Sequence, residues 1–465
     1  MKFPQKLLFV DPSVIVQSRN VVLKAVPPVK RRIVLENDKP WESVLIAFYT
    51  TYLFDQGMHK LFYTVRDTDN RRHLAYAESA DGETWSKPSL GLVEYHGNTD
   101  NNLLAVDSLE GTVCLNPDPA SKERYLYLCH HLHEGLALHT SPDGLHWTRK
   151  PSLASPFFCD SQNVAFYDHR KNAYAVYLRG WEPRKGHGDK LYRTVRYTQT
   201  DSLAFLPPVS REHAVYRTCG DEISERVICN EYQPVMAADD CDGADTDIYT
   251  IAAQPYPNGE PYYIGFPTFY AHDDRRYRND GMIHTQFAAS TDGLHWNRYD
   301  RAVIIGNEAG GLFQNQMAFV NPGIFDAGDT FRYYGTLYRT KHGEDDERRA
   351  DPDGKIVAYD QRKDGFVCAA FAQDGELATD MLHAAGSRLV CNAQIEAGGY
   401  LQYELLDADG NAIPHFHLDE CLPMTGDGLN LPVMWRSGDA AKLPDTPFRI
   451  RVCGAHAKLF SLMIQ

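Results

Sequence analysis

The chain holds ten cysteines among 465 residues but no Cys-x-x-Cys pair. A ready zinc or dithiol motif is therefore missing. Cys114, Cys129, Cys159 and Cys368 lie in apolar, strand-like surroundings. They are expected as small buried hydrophobes in a reducing compartment. No stretch approaches the roughly 18 apolar residues of a membrane span. The start, MKFPQKLLFVDP, has an apolar run only from Leu7 to Val10 before Asp11. That is too short for the core of a secretory signal, so a cytoplasmic setting is expected. A long basic run is missing as well, and the formal net charge is −15. A polyanion would be repelled, which argues against nucleic acid as a partner. Long amphipathic helical patterns are absent. No metal or cofactor is called for. His131 and His133 of CHHLHEG would share one face of a strand, but two ligands without a third make no site.

What is present is a repeat. AYAESADGETWSKP (75–88), LALHTSPDGLHWTRKP (136–151) and QFAASTDGLHWNRYD (286–300) share a strand-like run, then Ser-x-Asp-Gly, two residues and Trp. Asp-Gly marks a tight turn, with Asp bonding backbone N–H groups and Gly taking a positive φ. The Trp opens the returning strand and can pack on a neighbouring sheet. Two weaker copies follow the pattern, TQTDSLAFLPP (198–208) and RKDGFVCAAF (362–371), at spacings of roughly 60 to 90 residues. Five blade-sized repeats predict an all-β chain built on a five-bladed β-propeller. After residue 371 the repeat stops. Alternating runs split by Gly-Gly and Asp-Gly predict a C-terminal β-sandwich over 372–465. Residues 1–30 are expected as an N-terminal strand segment clasping one of the domains, and 31–371 as the propeller. The terminal domain either braces the propeller or carries a contact between copies in a homo-oligomer. Two charged loops, 341–355 and 271–282, read as solvated segments, with a lid or subunit contact as the alternative.

Several stretches carry a family resemblance: DKPWES (38–43), AYAESADGETWSKPSLGLVEYHGNTDNNLL (75–104), DSQNVAFYD (160–168), DTDIYTIAAQPYP (245–257) and the ending GDGLNLPVMWRSGD with AKLFSL. The chain resembles the five-bladed propeller glycoside hydrolases, which include families 32, 43, 68 and 117 and the related family 130 phosphorylases. It is most similar to bacterial proteins described as glycosyl hydrolase family 32 N-terminal-like. The resemblance spans nearly the whole chain. It implies the fold and a carbohydrate substrate. The tryptophan-rich Asp-Pro-Asn-Gly motif and the Arg-Asp-Pro motif of invertases are absent, so it does not imply invertase activity.

A propeller gathers the first strand of each blade around a central pocket. The expected strand starts are DKPWE (38–42), the segment Asp107 to Cys114, CDSQN (159–163), DTDIY (245–249) and FQNQM (313–317). Glycoside cleavage needs one carboxylic acid to protonate the leaving oxygen and a second carboxylate to attack or to activate water. Asp160 is the first candidate, followed by Asp247, with Asp245 its rival, and by Asp38 and Glu42. Glu182 is a candidate general acid on a loop over the pocket. Glu78 lies one strand further out and ranks lower. Trp41 would form a stacking wall, and Arg66, Asn163, Arg179, Gln316 and His342 would hold hydroxyls or charge. The leading expectation is an exo-acting glycoside hydrolase on a small carbohydrate. A phosphorylase is second, suggested by the cations of RGWEPRKGHGDKLYRTVR (179–196). A non-catalytic glycan-binding propeller is third.

Overall fold

Strands account for almost all regular structure in the computed structural model. It describes residues 6–131, 134–157, 159–160, 162–188, 190–207, 212–217, 223–228, 232–273, 280–306, 314–344, 351–383, 388–436 and 443–465. Among these the helical segments are single 3-10 turns, such as Pro40–Glu42 and Asp240–Asp242, and none is long or apolar enough to cross a membrane. Residues 133, 161 and 313, and the centres of the two charged loops at 274–279 and 345–350, lie outside the described residues.

Besides a terminal sheet and the two-stranded pair of Glu212–Arg217 with Ile223–Ile228, the described strands form three separate four-stranded antiparallel sheets and an eight-stranded sheet that divides into two further four-stranded antiparallel units. Of these five units the first comprises Leu45–Asp55, Met58–Arg66, Arg72–Ser79 and Leu103–Leu104. The second begins with Leu109–Leu115, the third with Val164–Asp168 and the fourth with Thr246–Pro255. The fifth combines Met317–Asp326, Thr330–Tyr338 and Lys355–Arg362 with Val29–Leu35 from the other end of the chain. One parallel pair, Ile283 with Met317, joins the fourth and fifth units. Apolar clusters lie between successive units. Phe62 and Tyr76 of the first meet Val113 and Tyr127 of the second, and Leu128 of the second meets Val176 of the third. Tyr177 meets Phe269 between the third and fourth. Phe266 and Tyr333 bind the fourth to the fifth. Tyr334 and Ile356 of the fifth pack on Ile46 and Leu61 of the first.

The repeated turn is one of the clamps between units. In each clear copy the Ser hydroxyl donates to the Asp and accepts from the Gly N–H, while the Asp accepts the next two backbone N–H groups. The Trp then packs on the preceding unit. Trp85 meets Tyr334 edge-on at 5.4 Å, Trp147 meets Phe62 at 6.1 Å and Trp296 meets Tyr177 at 5.9 Å. Tyr hydroxyls of the preceding units reach the turn carbonyls, Tyr334 to Gly82 at 2.6 Å and Tyr177 to Gly293 at 2.8 Å. Burying an aromatic of this size contributes roughly 2–3 kcal/mol, so the motif stabilises the joints as well as the hairpins.

The fifth copy departs from the expected hairpin. After the Asp364-Gly365 turn, Val367–Phe371 pairs with Val22–Ala25 and Arg449–Ile464 and does not return as a fourth strand. Phe366 follows the Gly directly and is buried against Phe266, Phe287 and Phe331, which draws the chain out of the unit. The strand it enters belongs to an eight-stranded sheet with Gly375–Thr379, Leu389–Leu406 and Asp427–Pro432. N-terminal strands Lys6–Leu8 and Ile15–Arg19 complete that sheet. Its core runs without a break into the fourth and fifth units. The four cysteines expected as buried hydrophobes are all buried.

Candidate active site

A cavity of about 660 Å³ opens where the first strands of the units begin. Its wall includes Tyr49 from the first unit, Glu110 from the second, Asp160 just ahead of the third, Tyr249 from the fourth and His342 from between the strands Thr330–Tyr338 and Lys355–Arg362 of the fifth. Arg72 and Arg193 reach it from neighbouring strands. Three of the wall residues have left-handed backbones, with φ of 56° at Tyr49, 64° at Glu110 and 47° at Asp160. Non-glycine residues rarely adopt this conformation, and it costs about 1 kcal/mol or more each time. At Glu110 the strain accompanies a register shift in the pairing with Tyr125–His131. A Cβ at the next residue, Gly111, would lie 2.0 Å from the Leu128 carbonyl, so glycine alone permits this crossing.

The two carboxylates differ in surroundings. Burial pushes the Glu110 carboxyl up, and the negative charge of Asp160 adds to this, against the guanidinium groups of Arg72 and Arg179. Arg72 Nη1 donates to Glu110 Oε1 from an exposed position. Asp160 is ion-paired with Arg179, Nη1 to Oδ2 at 2.5 Å. Arg179 also donates to the Tyr249 carbonyl and lies over the Tyr249 ring at 4.5 Å. Asn163 sits behind Asp160. Its side chain donates to the Asp160 carbonyl at 3.1 Å and accepts from the Arg179 backbone at 3.2 Å. A series of hydroxyl and imidazole groups lines the other side. Tyr49 meets Tyr249 at 2.8 Å, Tyr249 meets His342 Nε2 at 3.1 Å, and His342 Nδ1 meets Tyr270 at 3.2 Å.

The expected site residues separate into four groups. Asp160, Arg179, Asn163 and His342 form or support this wall. Arg66 lines an adjoining cavity of about 260 Å³ that shares Phe48, Arg72 and His342 with the first, and it donates to Asn70. Asp247 stands one layer back. It is 1% exposed and accepts from Arg193 through Nη1 at 3.0 Å and the backbone at 3.1 Å, with His272 Nε2 at 3.2 Å. Although burial opposes it, Arg193 and then His272 hold the Asp247 carboxyl well below its ordinary range. Asp247 therefore positions Arg193.

The remaining candidates are placed elsewhere. Pro40–Glu42 forms a 3-10 turn before the first strand, which folds Trp41 and Glu42 into the core. Glu42 meets Lys87 at 2.7 Å and accepts from Tyr63 at 3.2 Å, while Asp38 meets the same Lys87 at 2.5 Å. The Trp41 indole donates to Asn102 at 2.9 Å, which makes it a core residue and not a stacking wall. Glu182 pairs with Arg196, and Asp245 with Lys190 at the surface. Gln316 donates from its side chain to the Arg339 carbonyl at 3.2 Å. Glu110 is the acid that sequence reasoning did not single out. Its one signal is an acid directly before a glycine inside the second expected strand start.

No family model and no curated protein matches the chain. Several solved structures align with much of the chain. A protein described as a glycoside hydrolase aligns over 72% of this chain and 92% of its own, at 13% identity and a TM-score of 0.47. The catalytic domain of the Coprinopsis cinerea GH62 α-L-arabinofuranosidase aligns over 73% and 97%, at 12% identity and a TM-score of 0.40. The α-L-arabinofuranosidase PaAbf62A from Podospora anserina, in complex with cellotriose, aligns over 73% and 98%, at 14% identity and a TM-score of 0.40. No side chain of this protein takes a role from these likenesses.

Proposed function

We propose that the five units are the blades of a closed β-propeller, followed by a terminal β-sandwich braced against the last two blades. The cavity at the strand starts then hydrolyses the glycosidic bond of a small glycoside. The observation that carries this reading is the pairing of Glu110 and Asp160 on one cavity wall in unlike environments. Glu110 is biased toward its protonated form and supplies the proton to the leaving oxygen. Asp160, held by Arg179, is the carboxylate that attacks the anomeric carbon or takes the proton from water. Arg193 and the hydroxyls of Tyr49 and Tyr249 fix the sugar. The cavity volume lies in the range of small-ligand pockets and suits removal of a terminal sugar.

Arg72, Arg179 and Arg193 around one cavity favour phosphorolysis as a second reading. Against it, five of the six lysines and arginines of 179–196 have acidic partners. These are Asp160 for Arg179, Asp240 for Arg184, Asp245 for Lys190, Asp247 for Arg193 and Glu182 for Arg196. One assay separates the readings. Aryl glycosides and oligosaccharides are offered with and without phosphate to wild type, Asp160→Asn and Glu110→Gln. Phosphate-independent sugar release by wild type, with both variants inactive, is expected. Release that requires phosphate identifies a phosphorylase. Sugar binding without turnover that survives both substitutions identifies a binding protein and removes the catalytic reading.

A further inference from the structure

The turn that joins strands Met58–Arg66 and Arg72–Ser79 of the first unit brings two carboxylates together with a histidine from further along the chain. One ligand atom each of Asp67, Asp69 and His96 lies within 4.8 Å of the other two. Asp69 Oδ2 and His96 Nε2 are 3.4 Å apart. An ion bonded to both at about 2.1 Å sets such neighbours about 3.0–3.5 Å apart. Asp69 and His96 are exposed, whereas Asp67 is 1% exposed. Nothing in the proposed chemistry uses these three residues.

Asp67 sets this cluster apart from an ordinary surface group of acids. Its Oδ1 accepts from the Arg71 backbone at 2.8 Å, which closes the turn. Its Oδ2 is buried without a hydrogen-bond partner among the described residues, and the ion pairs beside it go to Asp69 instead. Buried carboxylates are ordinarily paired or bound to a metal, and an unmatched buried oxygen calls for a cause. The His73 imidazole feels the Asp67 charge, but burial pushes its pKa down, so it supplies no counter-charge at neutral pH. The Tyr95 hydroxyl feels it too, and turns to the Pro40 carbonyl at 3.4 Å. Arg71 is the cation beside the cluster. Its Nη1 stands 3.5 Å from Asp69 Oδ2 and 3.4 Å from His96 Nε2, and its side chain is 56% exposed. Both distances exceed those of a charge-assisted hydrogen bond. The guanidinium thus holds the two surface ligands loosely and is free to swing into solvent.

We infer that Asp67, Asp69 and His96 bind one divalent transition-metal ion, with water completing its coordination and the Arg71 guanidinium displaced. An imidazole beside two carboxylates suits Mn²⁺ or Zn²⁺ better than Ca²⁺ or Mg²⁺, which favour oxygen ligands. Asp67 is the floor of the site, and Asp69 and His96 are its rim. Asn70 lies in the same turn and Arg72 follows it, and both line the large cavity. An ion here pins one edge of that cavity. This inference is independent of the glycosidase reading, because it concerns different residues and is measured by binding.

The test titrates the full chain with Mn²⁺ and reads the ion left free by its electron paramagnetic resonance signal. Saturable binding is expected at micromolar concentration. His96→Ala and Asp67→Asn should each weaken it about 10-fold or more. Asp67→Asn keeps an oxygen to accept from the Arg71 backbone, so the turn is retained. Arg71→Gln, which removes the competing charge, should tighten binding about 2- to 5-fold. Circular dichroism checks that each variant is folded, and His96 is exposed, so its variant reads the site even where Asp67→Asn does not fold. The inference is overturned by no Mn²⁺ binding at millimolar concentration. Affinity indifferent to His96→Ala, or to a folded Asp67→Asn, places the ion elsewhere and also overturns it. So does Arg71→Gln that binds no tighter, since ion and guanidinium then do not compete.

Discussion

Glu110 has a raised pKa in the folded chain, with burial the main cause. As the proposed proton donor it works in its protonated form. Turnover is therefore expected to fall as pH rises through that raised value. Glu110→Gln should lower kcat by about 10²- to 10⁴-fold and abolish this alkaline limb on substrates that need leaving-group protonation. The same shift makes a stability statement. A raised folded pKa contributes stability below the ordinary value of 4.5 and loses it as pH rises through the folded value. Glu110→Gln should consequently leave the Tm at neutral pH unchanged or higher, since its exposed partner Arg72 offers little. Asp247 has the opposite sign. Its depressed pKa gives stability above the ordinary 3.8, lost as pH falls. Asp247→Asn leaves Arg193 buried without its counter-charge and should cost about 3 kcal/mol or more in urea unfolding. Asp160 was legible because an acid opens a buried strand. Asp38 and Glu42 looked similar, but a 3-10 turn and Lys87 claim them. Glu110 gave almost no sign, since its exposure to the cavity comes from a backbone kink and not from its neighbours in sequence.

At the scale of the element, the hairpins were readable because their chemistry is local. Ser, Asp and Gly satisfy one another within a few residues, and each spacing is fixed by the turn. In the second copy, burial works against ionisation of Asp143, yet the backbone N–H and side chain of His146 and the N–H of Leu145 hold it at about 2. Asp143→Ala removes two backbone hydrogen bonds and should cost about 1–2 kcal/mol, measured by thermal or urea unfolding. Asp143→Asn, which retains an acceptor oxygen, should cost less. The fifth copy shows the limit of local reading. Its Asp-Gly is intact, but Phe366 follows the Gly at once, and three buried phenylalanines decide where the chain goes next. Packing of that kind depends on residues far away in sequence.

At the scale of the molecule, the N-terminal strands stitch the terminal sheet to the fifth unit. Lys6–Leu8 and Ile15–Arg19 join the terminal sheet, whereas Val29–Leu35 supplies the outer strand of the fifth unit. One core spans the terminal sheet and the last two units. A chain ending at residue 371 would leave Val367–Phe371 without its partner Arg449–Ile464 and would open the shared core, and is expected to aggregate or to lose cooperative unfolding in calorimetry. The full chain should unfold in a single transition. This late pairing of distant strands has a further consequence during synthesis. Val29–Leu35 leaves the ribosome early, but its partner Lys355–Arg362 follows only after about three hundred residues. Until then the nascent molecule is an open fan with an unpaired strand at its leading edge, and translation speed sets how long that edge must be kept from other chains.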